Sequence, residues 1–343
     1  MTRELDYGPS MDALRNTTGV VIPVFIPSST DAVFARRMVA DTAAAYAALL
    51  NDPGRVCLSV DGSPLGLEAA REAAAQCGVT VVHYEANRGK LFAVRHGMTR
   101  LLAGAKLDYL AVADQDGDHF ANELVNFVRA ARHVERTAAG DRVMVLGQRA
   151  SRHHPMGLLR GELEELADRV LLEALRYHAA VSGRPLRLEY ASPFGEFPDF
   201  HSGFKLFSRR TAEAVFVPDP TAAGLPEESM SRHAVEAVMT VESILSGALL
   251  AVVRRSTFDE QPVTAFGLFN RRRMTADMIL WPCRRLGVPR EFVAQWIDNC
   301  LPHILLGTLV PQGREELTDV RRLVLETYGA KEVEHNLLRP RFL

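Results

Sequence analysis

The feature that most constrains this chain is a regular alternation of short apolar runs and amphipathic segments over its first 150 residues. The apolar runs carry apolar side chains on both faces, which is typical of strands buried in a parallel sheet. The predicted strands are Val20–Phe25, Val56–Val60, Val79–His83, Tyr109–Ala113 and Val143–Leu146. The predicted helices are Asp31–Leu50 (with Ser29 or Thr30 as N-cap), Leu65–Gln76, Leu91–Leu102 and Asn122–Ala139. This alternation predicts an α/β fold, with a mostly parallel central sheet and helices on both faces.

The order of elements changes after residue 150. A long helix is predicted over Leu158–Ala180, a second over Ser231–Ser246, and a strand over Leu249–Val253. From about Asn270 the pattern predicts helices interrupted by Gly- and Pro-containing turns. We therefore predict an α/β domain over 15–265 and a helical C-terminal extension over 266–343.

Composition narrows the classes of function. Forty lysines and arginines against 42 aspartates and glutamates give a formal net charge of -2, whereas a nucleic-acid-binding protein usually carries a basic excess. The four cysteines form no Cys-x-x-Cys pair, which favours a reducing compartment. The longest late apolar run, Ile244–Val253, is about half of the ~20 residues that a membrane span needs. We expect a cytoplasmic protein with no nucleic-acid partner and no integral membrane segment.

Polar segments follow three of the predicted strands, at the point where each strand ends. They are Asp61-Gly62-Ser63, Asn87-Arg88-Gly89-Lys90 and Asp114-Gln115-Asp116-Gly117-Asp118-His119. Ligands of open α/β sheets bind beyond the carboxyl ends of the strands. The three segments are therefore expected to converge on one rim of the sheet and to form a ligand site there.

The third segment, residues 114–119, is the acidic loop. Its three aspartates at alternate positions place like charges within a few ångströms, and a divalent cation is the usual compensation. Hard carboxylate oxygens select Mg²⁺ or Mn²⁺, with Asp116 as the first expected ligand and Asp118 as the second. An exposed acidic turn without a ligand is the alternative. A calcium loop of the EF-hand type is excluded, because Val125 stands where its glutamate is needed.

The same segments resemble motifs of the GT-A glycosyltransferases of family 2, especially the polyprenyl-phosphate mannosyl- and glucosyltransferase branch. The matching stretches are Val21–Phe25 (opening strand), Ser59–Ser63 (base-binding element), Asn87–Lys90 (N-x-G-K segment), Asp114–His119 (D-x-D-x-Q-H loop), Asp199–Arg209 (D-x-x-S-G-F-K stretch) and Val241-Glu242. The likeness covers about residues 18 to 260 and implies a GT-A (nucleotide-diphospho-sugar transferase) fold. The chain departs from it at Asp118, where the family has glutamine, and in lacking the membrane helices of many relatives.

The resemblance also implies a role for individual residues. Nucleotide-sugar binding is expected from Pro23, Phe25, Asp61, Asn87, Lys90, Asp114, Gln115 and Arg149, with Arg88 beside the diphosphate. Asp199 is the candidate general base and Glu242 the second candidate, because inverting transfer needs a base within reach of the acceptor hydroxyl. His201 and His233 are candidates for completing the metal shell, and His119 is either a ligand or a packing residue.

The predicted activity is transfer of a hexose-type sugar from a UDP- or GDP-sugar to the hydroxyl of a small-molecule or lipid-linked acceptor. It would depend on Mg²⁺ or Mn²⁺ and invert the anomeric carbon. Three alternatives stay open: a retaining glycosyltransferase of the glycosylglycerate type, a sugar nucleotidyltransferase, and a catalytically idle glycosyltransferase-like binding protein. The nucleotidyltransferase usually has a Gly-rich loop after its first strand, where this chain has Pro27-Ser28-Ser29-Thr30. A homo-oligomer is compatible with the sequence.

Overall fold

The structure, a computed structural model, describes residues 6–104, 106–191, 197–258 and 270–330. The strands are Thr18–Val24 (β1), Val56–Asp61 (β2), Thr80–Tyr84 (β3), Tyr109–Val112 (β4), Val143–Arg149 (β5), Lys205–Ser208 (β6) and Leu249–Arg255 (β7). The helices are Tyr7–Thr17 (α1), Ala32–Ala47 (α2), Pro64–Cys77 (α3), Lys90–Gly104 (α4), Leu124–Ala138 (α5), His153–Ser182 (α6), Arg209–Phe216 (α7), Val235–Leu245 (α8), Arg271–Arg285 (α9), Arg290–Cys300 (α10), Leu306–Leu309 (α11) and Gly313–Thr327 (α12). A π-helical turn, Ser229–His233, precedes α8.

The strands form one seven-stranded sheet in the order β3-β2-β1-β4-β6-β5-β7. The pairs β1–β2, β1–β4, β2–β3 and β5–β7 are parallel, and β6 is antiparallel to β4 and β5. Lys205, the first residue of β6, lies opposite Val112, the last residue of β4. The residues before β6 therefore reach the same rim as the carboxyl ends of the parallel strands.

Helices cover both faces of the sheet, because successive strand residues point to opposite sides. Along β1, Val20, Ile22 and Val24 belong to the core beneath α1, α2, α3 and α5, whereas Val21 belongs to the core shared with α4 and α6. The second core also contains Ile279 and Trp281 of α9. The predicted fold class, α/β with a mostly parallel sheet, helices on both faces and helices at the C-terminus, is confirmed.

Local details differ from the sequence expectations in three places. The N-cap of α2 is Asp31, whose side chain accepts a hydrogen bond from the N–H of Phe34, so the prediction of Ser29 or Thr30 was wrong. Helix α1 and strand β6 were not predicted. β6 has only four residues and follows a loop rich in Pro, Gly and aromatic residues, so its apolar pattern is too short to separate it from that loop.

The expected domain boundary between residues 265 and 266 lies outside the described residues, and the division into two domains stays a prediction. Helix α9 packs against α6, α8 and α12. In the described part of the chain, no helix is both long enough and apolar enough to cross a bilayer.

Candidate functional site

A cavity of about 260 Å³ opens at the carboxyl rim of the sheet. Ten of the twelve residues predicted for the site line it, namely Pro23, Phe25, Asp61, Asn87, Lys90, Asp114, Gln115, Asp116, Asp118 and Arg149. Asp199 and Glu242 are not among the lining residues. The residues predicted from the strand ends thus share one cavity, whereas Asp199 lies behind its wall, paired with Arg149, and Glu242 does not line it.

Asp61, the last residue of β2, fixes the loop between β3 and α4. Its Oδ1 accepts the N–H of Arg88 at 2.7 Å, and its Oδ2 accepts the N–H of Gly89 at 2.8 Å. Gly89 has φ of +101°, and a Cβ there would lie 2.5 Å from the carbonyl oxygen of Ser231. Glycine is needed at this position for both reasons. The carboxylate of Asp61 orders this side of the cavity, and nucleotide binding by Asp61 stays a prediction.

Lys90 begins α4 and lies between two carboxylates. Its Nζ is 2.7 Å from Oδ1 of Asp114 and 2.8 Å from Oε1 of Glu236. Burial alone would lower the pKa of Lys90, but the two carboxylates raise it above its ordinary value. Burial alone would raise the pKa of Asp114, but the Lys90 ammonium holds it well below its ordinary value. All three side chains of this chain of ion pairs are therefore charged at neutral pH.

The backbone of the acidic loop is anchored by α2, whose Thr42 and Tyr46 hydroxyls donate to the carbonyl oxygens of Gln115 and His119 at 3.0 and 2.7 Å. Within the loop, Nδ1 of His119 accepts the N–H of Asp114 at 2.8 Å. The His119 ring stacks on Phe204 with centroids 4.8 Å apart. Burial and Arg255 hold the pKa of His119 well below its ordinary value, so His119 is a neutral packing and capping residue.

Asp116 and Asp118 have different surroundings. Oδ1 of Asp116 accepts the N–H of Asp118 at 3.1 Å, and burial together with the neighbouring charge of Asp114 raises the pKa of Asp116 to about 7. Oδ2 of Asp118 lies 3.0 Å from Nη1 of Arg255, and its Oδ1 accepts the N–H of Phe258 at 2.6 Å. Asp118 would have to share an oxygen with these donors to bind a metal. Its metal role and that of Asp116 stay predictions.

The acidic loop fits a divalent cation held jointly by the protein and a ligand. Asp116 carries a charge that burial and Asp114 disfavour, which is the condition that a cation relieves. Across the described residues, no three His, Cys, Asp or Glu side chains come together as a complete metal site. Mg²⁺ is commonly bound by one or two carboxylates together with substrate phosphates and water, and this donor set agrees with that pattern.

Arg149 and Asp199 form a buried ion pair at the end of β5. Nε of Arg149 donates to Oδ2 of Asp199 at 2.6 Å, and Nη2 reaches Oε2 of Glu164 at 2.7 Å. Arg152 adds a second cation 3.3 Å from Oδ1 of Asp199. Burial alone would raise the pKa of Asp199, but the two arginines hold it well below its ordinary value. A carboxylate with these partners is a weak proton acceptor, so the geometry does not favour the predicted base role of Asp199.

Two histidines that line the cavity are each paired with a buried aspartate. Nδ1 of His201 lies 2.6 Å from Oδ1 of Asp168 in α6, and Nδ1 of His233 lies 2.7 Å from Oδ2 of Asp277 in α9. Nε2 of His201 is buried and has no hydrogen-bond partner among the described residues. Asp168 was not predicted, although Arg160, Glu164 and Asp168 recur every four residues in an apolar helix, which was an available signal.

Of the two glutamates of α8, the structure places Glu236 at the cavity and the predicted Glu242 away from it. Glu242 pairs with Arg285 of α9 at 2.6 and 3.0 Å and does not line the cavity. Glu236, six residues earlier, lines the cavity and contacts Lys90. Six residues correspond to about 600° of helical rotation at 100° per residue, so the two side chains point to different sides of α8. The catalytic role predicted for Glu242 is untested, but its position does not favour it.

The chain has distant similarities to solved structures. No protein-family model matches the chain, and no curated protein matches it. The chain is similar to the crystal structure of a mycobacterial protein at 19% identity and a TM-score of 0.46, covering 84% of this chain and 81% of that one. It is similar to residues 1–349 of S. aureus TarS at 12% identity and a TM-score of 0.41, covering 93% of each chain.

A third similarity is to the mannosyltransferase PcManGT from Pyrobaculum calidifontis, solved in complex with GDP-Man and Mn²⁺. The identity is 14% and the TM-score 0.46, covering 96% of this chain and 84% of that one. Identities and TM-scores this low do not assign an activity to this chain.

Proposed function

We propose that this protein is a divalent-metal-dependent glycosyltransferase that moves a hexose-type sugar from a UDP- or GDP-sugar to an acceptor hydroxyl. The observation that carries the proposal is the meeting of Asp114, Asp116 and Lys90 in one cavity at the carboxyl rim of the sheet. It joins two carboxylates suited to a metal with a cation suited to a diphosphate. The resemblance of the sequence motifs to family 2 of the GT-A glycosyltransferases supports the same activity.

The donor would extend along the rim from β3 towards β4. Pro23 and Phe25 offer apolar surface beside the polar atoms of Asp61 and Asn87, a combination suited to a nucleoside. Lys90 and the N-terminus of α4 would face the diphosphate, because a helix N-terminus carries partial positive charge. Lys90 would then exchange part of its contact with Asp114 and Glu236 for phosphate oxygens.

Asp116, with Asp114 beside it, would hold Mg²⁺ or Mn²⁺ against the diphosphate. The bound cation would supply positive charge that stabilises the leaving nucleoside diphosphate. The chain's own contribution is to keep Asp114 ionised through Lys90 and to fix the loop through Thr42 and Tyr46. Asp118, held by Arg255, would keep the loop closed and offer a second carboxylate.

The acceptor side would be formed by α6 and α9. Pro155, Arg160 and Glu164 of α6 and Met274 and Met278 of α9 line the cavity. α6 follows β5. In the sheet, β4 separates β5 from β1, β2 and β3, which are the three strands assigned to the donor. We propose a single displacement with inversion, as family 2 implies, on a small-molecule or lipid-linked acceptor. Retention of anomeric configuration in the product would contradict that part.

Thermal denaturation with UDP, GDP or dTDP, each with Mn²⁺ or with EDTA, tests the donor site. A ligand at a hundred times its dissociation constant stabilises the folded state by about 2.7 kcal/mol. We expect one nucleotide to raise Tm in the presence of Mn²⁺, and Asp116→Ala to remove that increase. Asp41→Ala, a change at an exposed carboxylate of α2, is the matched control and is expected to keep it. No increase with any nucleotide would reject the proposal.

A further inference from the structure

We propose that His201, held by Asp168, is the general base that accepts the proton of the attacking hydroxyl. This inference rests on the proposed glycosyl transfer and gives that site a proton acceptor. Its basis is a paired histidine that lines the cavity and whose second ring nitrogen, Nε2, is buried without a hydrogen-bond partner among the described residues.

The contacts of Asp168 fix the tautomer of His201. Oδ1 of Asp168 accepts the backbone N–H of His201 at 3.2 Å and lies 2.6 Å from its Nδ1. Oδ2 of Asp168 lies 2.8 Å from Nη2 of Arg152. Asp168 already accepts the backbone N–H of His201 and faces the Arg152 guanidinium, so we assign the proton of the pair to Nδ1 of His201. Nε2 then presents a lone pair, which is the arrangement that a proton-accepting imidazole needs.

The position of His201 agrees with a role at the acceptor. His201 precedes β6, and the acidic loop follows the neighbouring strand β4. A Cβ at Gly203, two residues after His201, would lie 2.7 Å from Oδ2 of Asp114. The residues proposed for the nucleoside, Pro23, Phe25, Asp61 and Asn87, lie in or after β1, β2 and β3, on the other side of β4. The acidic loop therefore lies between His201 and the donor residues. An acceptor hydroxyl would approach from the side on which His201 lies.

Other carboxylates of the site are less suited to accept this proton. Both oxygens of Asp199 face the Arg149 guanidinium, and Glu236 is paired with Lys90. The charged groups around the His201–Asp168 pair are Arg152, Glu164, Asp199 and Lys205, which belong to the N-terminal part of α6 and to the segment that leads into β6.

In the proposed step, one bond to the anomeric carbon forms, one breaks, and one proton is transferred. The acceptor oxygen bonds to the anomeric carbon while its proton passes to Nε2 of His201. The bond from the anomeric carbon to the donor phosphate oxygen breaks, and its electron pair leaves with the nucleoside diphosphate. The resulting imidazolium faces the Asp168 carboxylate and returns its proton to water.

Donor hydrolysis tests the role, with water as acceptor and GDP-mannose or UDP-glucose as donor in the presence of Mn²⁺. We expect His201→Gln to lower kcat by about 10²-fold or more and to change the pH dependence of kcat. The KM for the donor and the nucleotide-dependent rise in Tm are expected to stay at wild-type values. His133→Gln, at an exposed histidine of α5 outside the cavity, is the control and is expected to retain both activity and pH profile.

Several outcomes would overturn the role. If His201→Gln hydrolyses the donor within threefold of the wild-type rate, or loses Mn²⁺ affinity instead of kcat, His201 is not the base. Wild-type protein that binds no nucleotide with Mn²⁺ would reject the glycosyltransferase proposal itself, and the base role with it. The tautomer gives a test independent of turnover: ¹⁵N NMR of labelled histidine is expected to show protonated Nδ1 and bare Nε2 for the signal that His201→Gln removes. The opposite tautomer would also overturn the role.

Discussion

The side-chain amide of Gln115 pairs with both backbone groups of Phe25. Nε2 of Gln115 donates to the carbonyl oxygen of Phe25 at 2.7 Å, and Oε1 accepts the Phe25 N–H at 2.8 Å. Phe25 follows the last residue of β1, and Gln115 belongs to the acidic loop that follows β4. Beyond the ends of β1 and β4, the Gln115 amide thus takes the place of the backbone hydrogen bonds that a neighbouring strand would make with Phe25. It ties the acidic loop to the wall of the cavity formed by residues after β1.

Replacing Gln115 with leucine is expected to destabilise the fold and weaken nucleotide binding. The change keeps most of the side-chain volume but leaves the N–H and C=O of Phe25 without their partners, at a cost of about 1–3 kcal/mol. Urea denaturation measures the loss. Gln76→Leu, at an exposed position of α3, is the control and is expected to change stability by less than about 0.5 kcal/mol. Equal effects of the two substitutions would show that the Phe25 contact contributes nothing.

Gly203→Ala is expected to disturb the acidic loop. A Cβ at this position would lie 2.7 Å from Oδ2 of Asp114 and 3.1 Å from Cε1 of His119. Asp114 is held by Lys90, so relief of the clash would move the carboxylate, and overpacking of this kind typically costs about 1–3 kcal/mol. Tm and the Mn²⁺-dependent nucleotide response should both fall. Gly140→Ala, where no atom lies within 4 Å of the new Cβ, is the control, and an equal response there would contradict the clash.

The sequence predicts the architecture and the position of the cavity better than it predicts the partners of buried charges. Strand–helix alternation is a local pattern that the sequence shows directly. Because ligands of such sheets bind at the carboxyl ends of the strands, the pattern also predicts that Asp61, Lys90 and Asp114 lie at one site. The partners of a buried charge are not local. Asp199 resembles a catalytic aspartate in sequence, and its pairing with Arg149, 50 residues earlier, is set by the packing of β5 against the loop before β6.

The same limit explains why Glu242 was chosen over Glu236. Both stand in an apolar helix, and the side of the helix that faces the cavity depends on where α8 packs against α9 and the π-helical turn. The pairing of His201 with Asp168, 33 residues earlier, is likewise set by the packing of α6 beside β6. The recurrence of charged residues along α6 signals a polar face, but it does not identify the partner.

Asp199→Asn is expected to act on stability. Removing one partner of a buried ion pair typically costs about 3–5 kcal/mol. Because the pKa of Asp199 is lowered in the folded protein, its stabilising contribution is complete at neutral pH and is lost as the pH falls below the unfolded value of 3.8. Urea denaturation at pH 7 and at pH 3 should therefore show a large difference from wild type at pH 7 that shrinks at pH 3. A variant with wild-type stability and no activity would instead restore the predicted base role.

Glu236→Gln and Glu242→Gln separate the two glutamates of α8. Neutralising Glu236 leaves Lys90 with one carboxylate partner and changes the charge of the cavity, so donor turnover should fall by about tenfold or more. Glu242 pairs with Arg285 near the surface, with 20% of the Glu242 side chain exposed, and such pairs contribute about 0–1 kcal/mol. Glu242→Gln should keep turnover within about twofold. The reverse result, measured as nucleoside diphosphate release, would return Glu242 to the catalytic site.

Asp116→Asn is expected to change stability in a pH-dependent way when divalent cations are removed with EDTA. Burial and Asp114 raise the pKa of Asp116 to about 7 from its ordinary value of 3.8, so the folded protein binds this proton more tightly than the unfolded chain. Compared with a variant that lacks this carboxyl group, the wild type must therefore lose stability as the pH rises from about 4 to about 7. Asp116→Asn should melt several degrees above wild type at pH 8 and at the same temperature near pH 4.

Mn²⁺ supplies the second half of this test. A cation beside Asp116 favours the ionised carboxylate, so Mn²⁺ should raise the Tm of the wild type more at pH 8 than at pH 5 and should leave Asp116→Asn nearly unchanged. Asp41→Asn, with 72% of the Asp41 side chain exposed, is the control and should follow the wild type under all four conditions. If the Tm of Asp116→Asn also matches that of the wild type under these conditions, the protein itself compensates the negative charge of Asp116. The reason for placing a cation there is then removed.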